Sequence, residues 1–542
     1  MKLFRSAALA LAALVAAPAW SAPAADYDVV IRNGRVLDGG GDPWVRADVA
    51  VKDGLIARVG TVRGRGAREI DARGRYVSPG FIDMMDQSQE VLLKAGRAEN
   101  KLRMGVTTVI AGEAGVPVAA DGIGGYFDQL ARQGIGVNIG VYYNAMQARL
   151  PVMGDKEGVA TPAQLEPMKA EVRKAMKAGA FGVSTALIYP PMSFQGTDEL
   201  VELAKVAGRC DGFYVTHMRD EAAGLVGAIE EAVAIGERSG AKVEIFHLKA
   251  GYAPGWGELM PKAVATISAA RARGVDVAAD MYPYTAGGTG LSITAPNWIF
   301  ADGEAKGWER LRDPAIRARL KKEVAAGSVP GWSNLVQAAG GWDRIVLANA
   351  YNPKYDRYRY KSIAFIAKAM GEDPADLAWD IVLDALPNRA MALFFMMSEP
   401  DIELAMKQPW TSIGSDAGAT EVFGQLDAED LPHPRSYGTF PRVLSEYVRK
   451  RQVLTVEDAV RKMTGWPATR MGLNDRGTIR EGLKADLVVF DLDRVKDAAT
   501  WEAPMAAPEG VDYVLVNGVL AVNAGRATGA KAGQILRHRC DD

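Results

Sequence analysis

Two histidines carry much of the chemistry that this sequence offers. The chain of 542 residues contains only four. His217, in "GFYVTHMR" (212–219), and His247, in "KVEIFHLK" (242–249), each close a run of apolar, β-branched and aromatic residues that reads as a buried strand. Neutral imidazoles at the ends of neighbouring strands suit Zn2+, which favours nitrogen donors in tetrahedral geometry. A catalytic zinc needs a third protein ligand and an open position for water. Glu113, Asp416 and Asp83 could supply that ligand, since each closes a strand-like run. Asp416, in "SIGSDAG", is also suited to take a proton from an attacking water and return it to a leaving amine. Its structural alternative is an N-cap for the segment that follows. Asp83 reads instead as a buried structural carboxylate. His538 lies in a polar tail and is expected to be solvated.

The elements that must position these groups form a series. Strand-like runs occur at 77–85, 105–113, 136–144, 181–189, 212–219, 242–249, 275–284 and 411–418, and most intervening segments carry helical periodicity. Eight such units predict an α/β fold, a (β/α)8 TIM barrel. A doubly wound sheet is the alternative, but no Gly-rich phosphate loop follows any strand. In a barrel the strand ends meet at one mouth. Asp83, Glu113, Tyr189, His217, His247, Tyr282 and Asp416 would then surround a single cup.

Outside the barrel the pattern changes to short alternating strands with tight turns at Asp53-Gly54 and Asn517-Gly518. The expected organisation is a signal peptide (1–25), a small β-sandwich made by both ends of the chain (26–78 and 476–535), and a barrel (79–475) interrupted by an insertion (285–410). The tryptophans of that insertion, Trp298, Trp308, Trp332 and Trp342, read as packing residues. Lys2 and Arg5 precede an apolar run too short to span a bilayer, followed by small residues, which points to general secretion and a periplasmic or extracellular protein. No membrane association is expected after cleavage. Two cysteines, Cys210 and Cys540, are too few for a disulfide framework, although an oxidising compartment permits them to pair. A net charge of −2 with interspersed signs gives no nucleic-acid surface.

The order of the motifs resembles the amidohydrolase superfamily, and within it the D-aminoacylase (N-acyl-D-amino-acid deacylase) branch. The matching stretches include "PGFID" (79–83), "NKLRMGVTTVIAGE" (100–113), "ALIYPP" (186–191), "THMRDE" (216–221), "FHLKAG" (246–251), "DMYPYTAG" (280–287), "IGSDAG" (413–418) and "HPRSYGTFPRVL" (433–444). The resemblance implies a tightly held zinc on His217 and His247 and makes Asp416 the catalytic acid/base. It also implies substrate contacts from Lys249, Tyr282 and Arg435, with Arg435 suited to a substrate carboxylate. Tyr189, Arg219 and His433 sit in the same motifs and read equally as substrate contacts, packing residues or supporting donors.

Two positions depart from the family pattern. The His-x-His of the first strand is Met85-x-Gln87, so one zinc per chain is expected, with Met85 and Gln87 lining the mouth. The cysteine of the second strand is Ala114, and Glu113 beside it is the best substitute ligand. The expected function is zinc-dependent hydrolysis of linear amides, deacylating N-acyl-D-amino acids, small molecules with a free carboxylate. The alternatives are a dipeptidase or cyclic-amide hydrolase, or a non-catalytic binding protein on a decayed scaffold.

Overall fold

The computed structural model describes residues 25–327, 331–421, 423 and 433–540. The expected leader lies outside these residues, save for Ala25. Eight parallel strands form the centre: β1 (Phe81–Asp86), β2 (Val106–Ala111), β3 (Asn138–Val141, continued by Tyr143–Asn144) and β4 (Gly182–Ala186). β5 (Phe213–His217), β6 (Lys242–Ile245), β7 (Val277–Met281) and β8 (Thr411–Ile413) complete them. Each pairs in parallel with the next. The ring closes where Asp86 bridges Ala417 and the Asp416 amide donates to the Met85 carbonyl at 2.8 Å. The strands are buried along nearly their whole length, as strands covered on both faces must be.

The helices begin and end where local chemistry dictates. The helix Pro162–Ala178 starts with a capping box between Thr161 and Gln164, has Pro162 in its first turn, and stops at Gly179 in the left-handed conformation. Leu225–Ser239 ends the same way at Gly240.

The two ends of the chain share one nine-stranded sheet. Its seam is the antiparallel pairing of Tyr76–Pro79 with Leu487–Phe490. The hairpin turns at Asp53-Gly54 (φ 52° and 78°) and Asn517-Gly518 (φ 47° and 82°) put positive φ at both central residues, the requirement of a type I′ turn. Between β7 and β8 the chain builds a three-stranded antiparallel sheet (Gly287–Gly290, Met391–Phe394, Ile345–Asn349) with its own helices.

The C-terminal tail is docked, contrary to the reading of His538 as solvated. Ile535 bridges Ile139, and the Leu536 amide donates to the Ile139 carbonyl at 2.7 Å. His538 Nε2 lies 2.7 Å from the Cys210 carbonyl, and Cys540 is disulfide-bonded to Cys210. With the His538 amide donating to the Gly179 carbonyl at 3.0 Å, these contacts fall at the N-terminal ends of β3, β4 and β5, so the tail covers the floor of the barrel opposite the mouth. No helix among the described residues is long and apolar enough to cross a membrane.

Candidate active site

Six of the seven strand-end residues reach one cavity of about 360 Å3 at the barrel mouth: Glu113, Tyr189, His217, His247, Tyr282 and Asp416. Asp83 does not. It is fully buried below the mouth, 2.9 Å from Lys101 Nζ and bonded to Ser415. Met85 is also absent from the mouth. It is 1% exposed, packs with Ile82, Met84, Ile110 and Tyr142, and lies beneath Gln87, whose Nε2 is 4.0 Å from its Sδ. Gln87, beyond the strand, does line the cavity.

Glu113 is the hub. Its Oε1 lies 3.1 Å from His217 Nδ1 and 3.3 Å from His247 Nε2. One donor atom from each of these three residues falls within 4.8 Å of the others, a grouping able to hold a metal ion. Burial alone would raise the Glu113 carboxyl, but the two imidazoles outweigh it and hold the group well below the usual carboxylate range.

The outward-facing nitrogens of both histidines meet a second carboxylate, Glu221. Its Oε1 is 3.0 Å from His247 Nδ1, and its Oε2 is 3.3 Å from His217 Nε2, the latter an electrostatic contact without hydrogen-bond geometry. Lys249 Nζ sits 2.6 Å from Glu221 Oε1 and 2.8 Å from His247 Nδ1. Burial raises the Glu221 carboxyl, yet His217, Lys249 and His247 together pull it far below its ordinary value. A carboxylate behind two histidines orients each ring and directs its other nitrogen inward. Two imidazole nitrogens and one carboxylate oxygen thus converge on a single point, a donor set that suits zinc.

His247 and Asp416 both adopt positive φ, 37° and 49°. For residues other than glycine this is a costly conformation that surrounding contacts must enforce. At His247 the backbone amide donates to Asp280 Oδ1 at 2.9 Å. Burial keeps the Asp280 carboxyl well above the usual range. At Asp416 the amide is held by the Met85 carbonyl. The Asp416 carboxylate is gripped from two sides, with Gln87 Nε2 3.3 Å from Oδ1 and Arg435 Nη1 2.7 Å from Oδ2. The same Gln87 nitrogen donates to Glu113 Oε2 at 2.6 Å, so its neutral amide ties the two carboxylates together.

The remaining anticipated residues complete the wall. The Arg435 guanidinium lies over the Tyr282 ring, 4.8 Å from its centroid, and the Lys249 ammonium lies 5.6 Å from the same centroid. Tyr189 shares a 2.8 Å hydrogen bond with Thr289, its ring centroid 5.1 Å from that of His217. His433 accepts the Arg435 amide at Nδ1 (3.0 Å) and faces the Ala286 carbonyl with Nε2 (3.0 Å), which fixes the start of the helix that carries Arg435. Burial and the Arg435 charge keep its imidazole neutral, well below the ordinary histidine value. Arg219 is bonded instead to Glu231 and to the Ser193 and Gln195 carbonyls, and does not line the cavity. Sequence reasoning missed Glu221, although it lies four residues after His217 in a motif already singled out. It also missed Arg389, whose guanidinium donates to Thr289 at 3.0 Å and stacks 5.2 Å from the Tyr189 centroid.

A closed parallel barrel with a carboxylate and two histidines converging at its mouth defines a metal-dependent hydrolase. Comparison with known proteins narrows the class. A model described as "Amidohydrolase family" matches residues 68–522. The D-aminoacylase of Alcaligenes xylosoxydans xylosoxydans is 31% identical, over 94% of this chain and 97% of its own. An N-acyl-D-glutamate deacylase of Bordetella bronchiseptica, solved with zinc and a phosphonate mimic of the tetrahedral intermediate, superposes with a TM-score of 0.77 at 30% identity, covering 94% of this chain and 99% of the other. A D-aminoacylase structure described as having a binuclear metal centre, activated by one metal and attenuated by the second, gives 0.77 at 31% identity, with 94% and 100% covered. The chain belongs to the amidohydrolase family and is a hydrolase of carbon–nitrogen bonds other than peptide bonds.

Proposed function

We propose that this protein is a zinc-dependent deacylase of N-acyl-D-amino acids that carries one metal ion per chain and acts outside the cytoplasm. The observation that carries this reading is the convergence of His217 Nδ1 and His247 Nε2 on Glu113 Oε1, with Glu221 behind both rings. Glu113, His217 and His247 would hold the zinc ion. When bound, it supplies Lewis acidity to the scissile carbonyl and to the attacking water.

The chain's own groups do the rest. Asp416 Oδ2 is held by Arg435, which leaves Oδ1 to take the water's proton and deliver it to the departing nitrogen. Gln87 donates to that same oxygen and keeps it beside Glu113. Asp416 is the one carboxylate that Arg435 pairs with among the described residues, so its fork can also receive a substrate carboxylate. Tyr282, stacked beneath it, faces the cavity with a hydroxyl that burial keeps protonated. Lys249 is already engaged by Glu221, and its first task is to hold that carboxylate while adding positive charge to the wall.

A single metal is supported by Gln87 and Met85. One presents an amide N–H2 where a ligand would be needed, and the other is buried in the core. Preference for the D configuration is supported by the likeness to D-specific relatives. Export is supported by the basic and apolar start of the sequence and by the Cys210–Cys540 disulfide, since disulfides persist in oxidising compartments. The test is a panel of N-acetyl-D- and N-acetyl-L-amino acids assayed with the zinc-loaded protein. Turnover of D substrates is expected, falling by about 10^2–10^4 in Asp416→Asn with zinc retained. Turnover of L substrates alone, or full activity in Asp416→Asn, would contradict the reading.

A further inference from the structure

A second cavity, of about 490 Å3, adjoins the first. Glu113, Ala114, Tyr189, Ile293 and Arg389 line both, so the two spaces meet beside the metal cluster. They differ in the ionisable groups they present. Lys249, Tyr282, Asp416 and Arg435 line the first and none of them lines the second. The second carries Leu150, Pro190, Pro191, Met192, Phe300 and Trp308 along its apolar side, with the neutral polar groups of Ser292, Asn297 and Asn388 also in its wall. Trp308 therefore does more than pack: its indole meets Phe300 edge-on at 4.9 Å and faces this space. Leu150, 44% exposed, is one of the few large apolar side chains open to solvent. Beside Glu113, the acidic groups of this cavity are Asp155 and Glu304, and both are already engaged: Asp155 accepts the Glu304 amide at 2.9 Å, and Glu304 accepts the Trp308 indole at 3.3 Å.

We infer that the second cavity is the acyl subsite, and that the favoured substrates are D-amino acids N-acylated with a linear apolar chain of about eight carbons or more, rather than with acetyl. The inference rests on the deacylase reading. An amide whose carbonyl sits at the metal cluster has two halves to place. The carboxylate half belongs with Arg435 and Tyr282, so the acyl half must leave past Glu113 and Ala114. The methyl side chain of Ala114, at the position where the family pattern has a cysteine, helps to keep that passage open. An acetyl group would leave unfilled most of a 490 Å3 space with one long apolar side, whereas each further methylene taken out of water is worth about fourfold in binding.

The experiment measures kcat/KM of the zinc-loaded full chain for one D-amino acid carrying acetyl, butyryl, octanoyl or decanoyl groups, together with a leucyl-D dipeptide. The expected result is a rise of at least 100-fold from acetyl to octanoyl, mostly in KM. The octanoyl-to-acetyl ratio should then fall at least tenfold in Met192→Trp, which fills the cavity, and in Leu150→Glu, a change at an exposed helix position. A flat or falling chain-length series with measurable N-acetyl turnover would overturn the acyl subsite and leave the deacylase reading standing, as would preference for the dipeptide over the octanoyl compound. An unchanged ratio in both variants would remove the assignment of this cavity. Absence of turnover with every N-acyl compound would overturn the deacylase reading, and this inference with it.

Discussion

Replacing Glu221 by glutamine isolates the role of the carboxylate behind the two histidines. The change preserves size but removes the charge and one of the two acceptor oxygens. In the native site Oε1 faces His247 Nδ1 at 3.0 Å and Lys249 Nζ at 2.6 Å, while Oε2 faces His217 Nε2 at 3.3 Å. For both imidazoles to present a lone pair to the metal, both outward nitrogens must carry protons, so His247 Nδ1 must donate to Glu221 rather than accept from Lys249. A glutamine can accept only one of them, and its NH2 group would oppose the other N–H. Carboxylates behind metal-bound histidines typically contribute 10–100-fold to metal affinity. With two rings served by one residue, zinc affinity in Glu221→Gln should weaken by about 100-fold, or about 2.8 kcal/mol. The assay is zinc competition against a chromophoric chelator, with kcat at saturating zinc measured in parallel. The expected pattern is a weakened Kd with activity largely restored by excess zinc. An unchanged zinc Kd would refute the argument that Glu221 sets the two rings.

Other consequences concern stability. Lys462 is buried against the Gln408 and Thr411 carbonyls beneath β8, and burial lowers its ammonium from 10.5 to about 8. The unfolded chain therefore holds more protons than the folded one between about pH 8 and 10.5, so this residue makes stability rise with pH across that window. Urea midpoints should show that rise in the native protein and lose it in Lys462→Met. The Cys210–Cys540 disulfide joins residues 330 apart in sequence, so Cys540→Ser should cost about 2–5 kcal/mol. Added reductant should lower the melting temperature of the native protein and leave that of the variant unchanged. Gln87→Ala removes the amide that links Glu113 to Asp416. It should lower kcat at least tenfold while zinc content, measured by metal analysis, stays near one per chain.

The parts legible in the sequence are those governed by strand periodicity. Each of His217, His247, Glu113 and Asp416 ends an apolar run, and in a barrel the end of a strand is the mouth, so their meeting follows from local pattern. The turn at Asp53-Gly54 was readable because a type I′ hairpin favours that pair. Glu221 was not, because it lies beyond the strand in a segment that turns back on itself through the Ala222 amide and Asp220 (2.7 Å), and no periodicity describes that fold-back. The motif position places Met85 on the same face as Gln87, but one layer lower, where Gln87 covers it and neighbouring strands pack around it. The tail was misjudged because charged residues around Ile535, Leu536 and Cys540 gave it a polar average. The second cavity depends on Phe300 and Trp308 of the insertion sharing its wall with Pro190–Met192, a long-range arrangement that spacing does not encode.

Anomalous diffraction at the zinc edge, from crystals of the zinc-loaded protein, tests the central claim most directly. The account predicts one strong peak per chain, within bonding distance of Glu113, His217 and His247, in protein that hydrolyses N-acyl-D-amino acids. Two equally strong peaks, or one peak with Glu113 outside bonding distance, would contradict it.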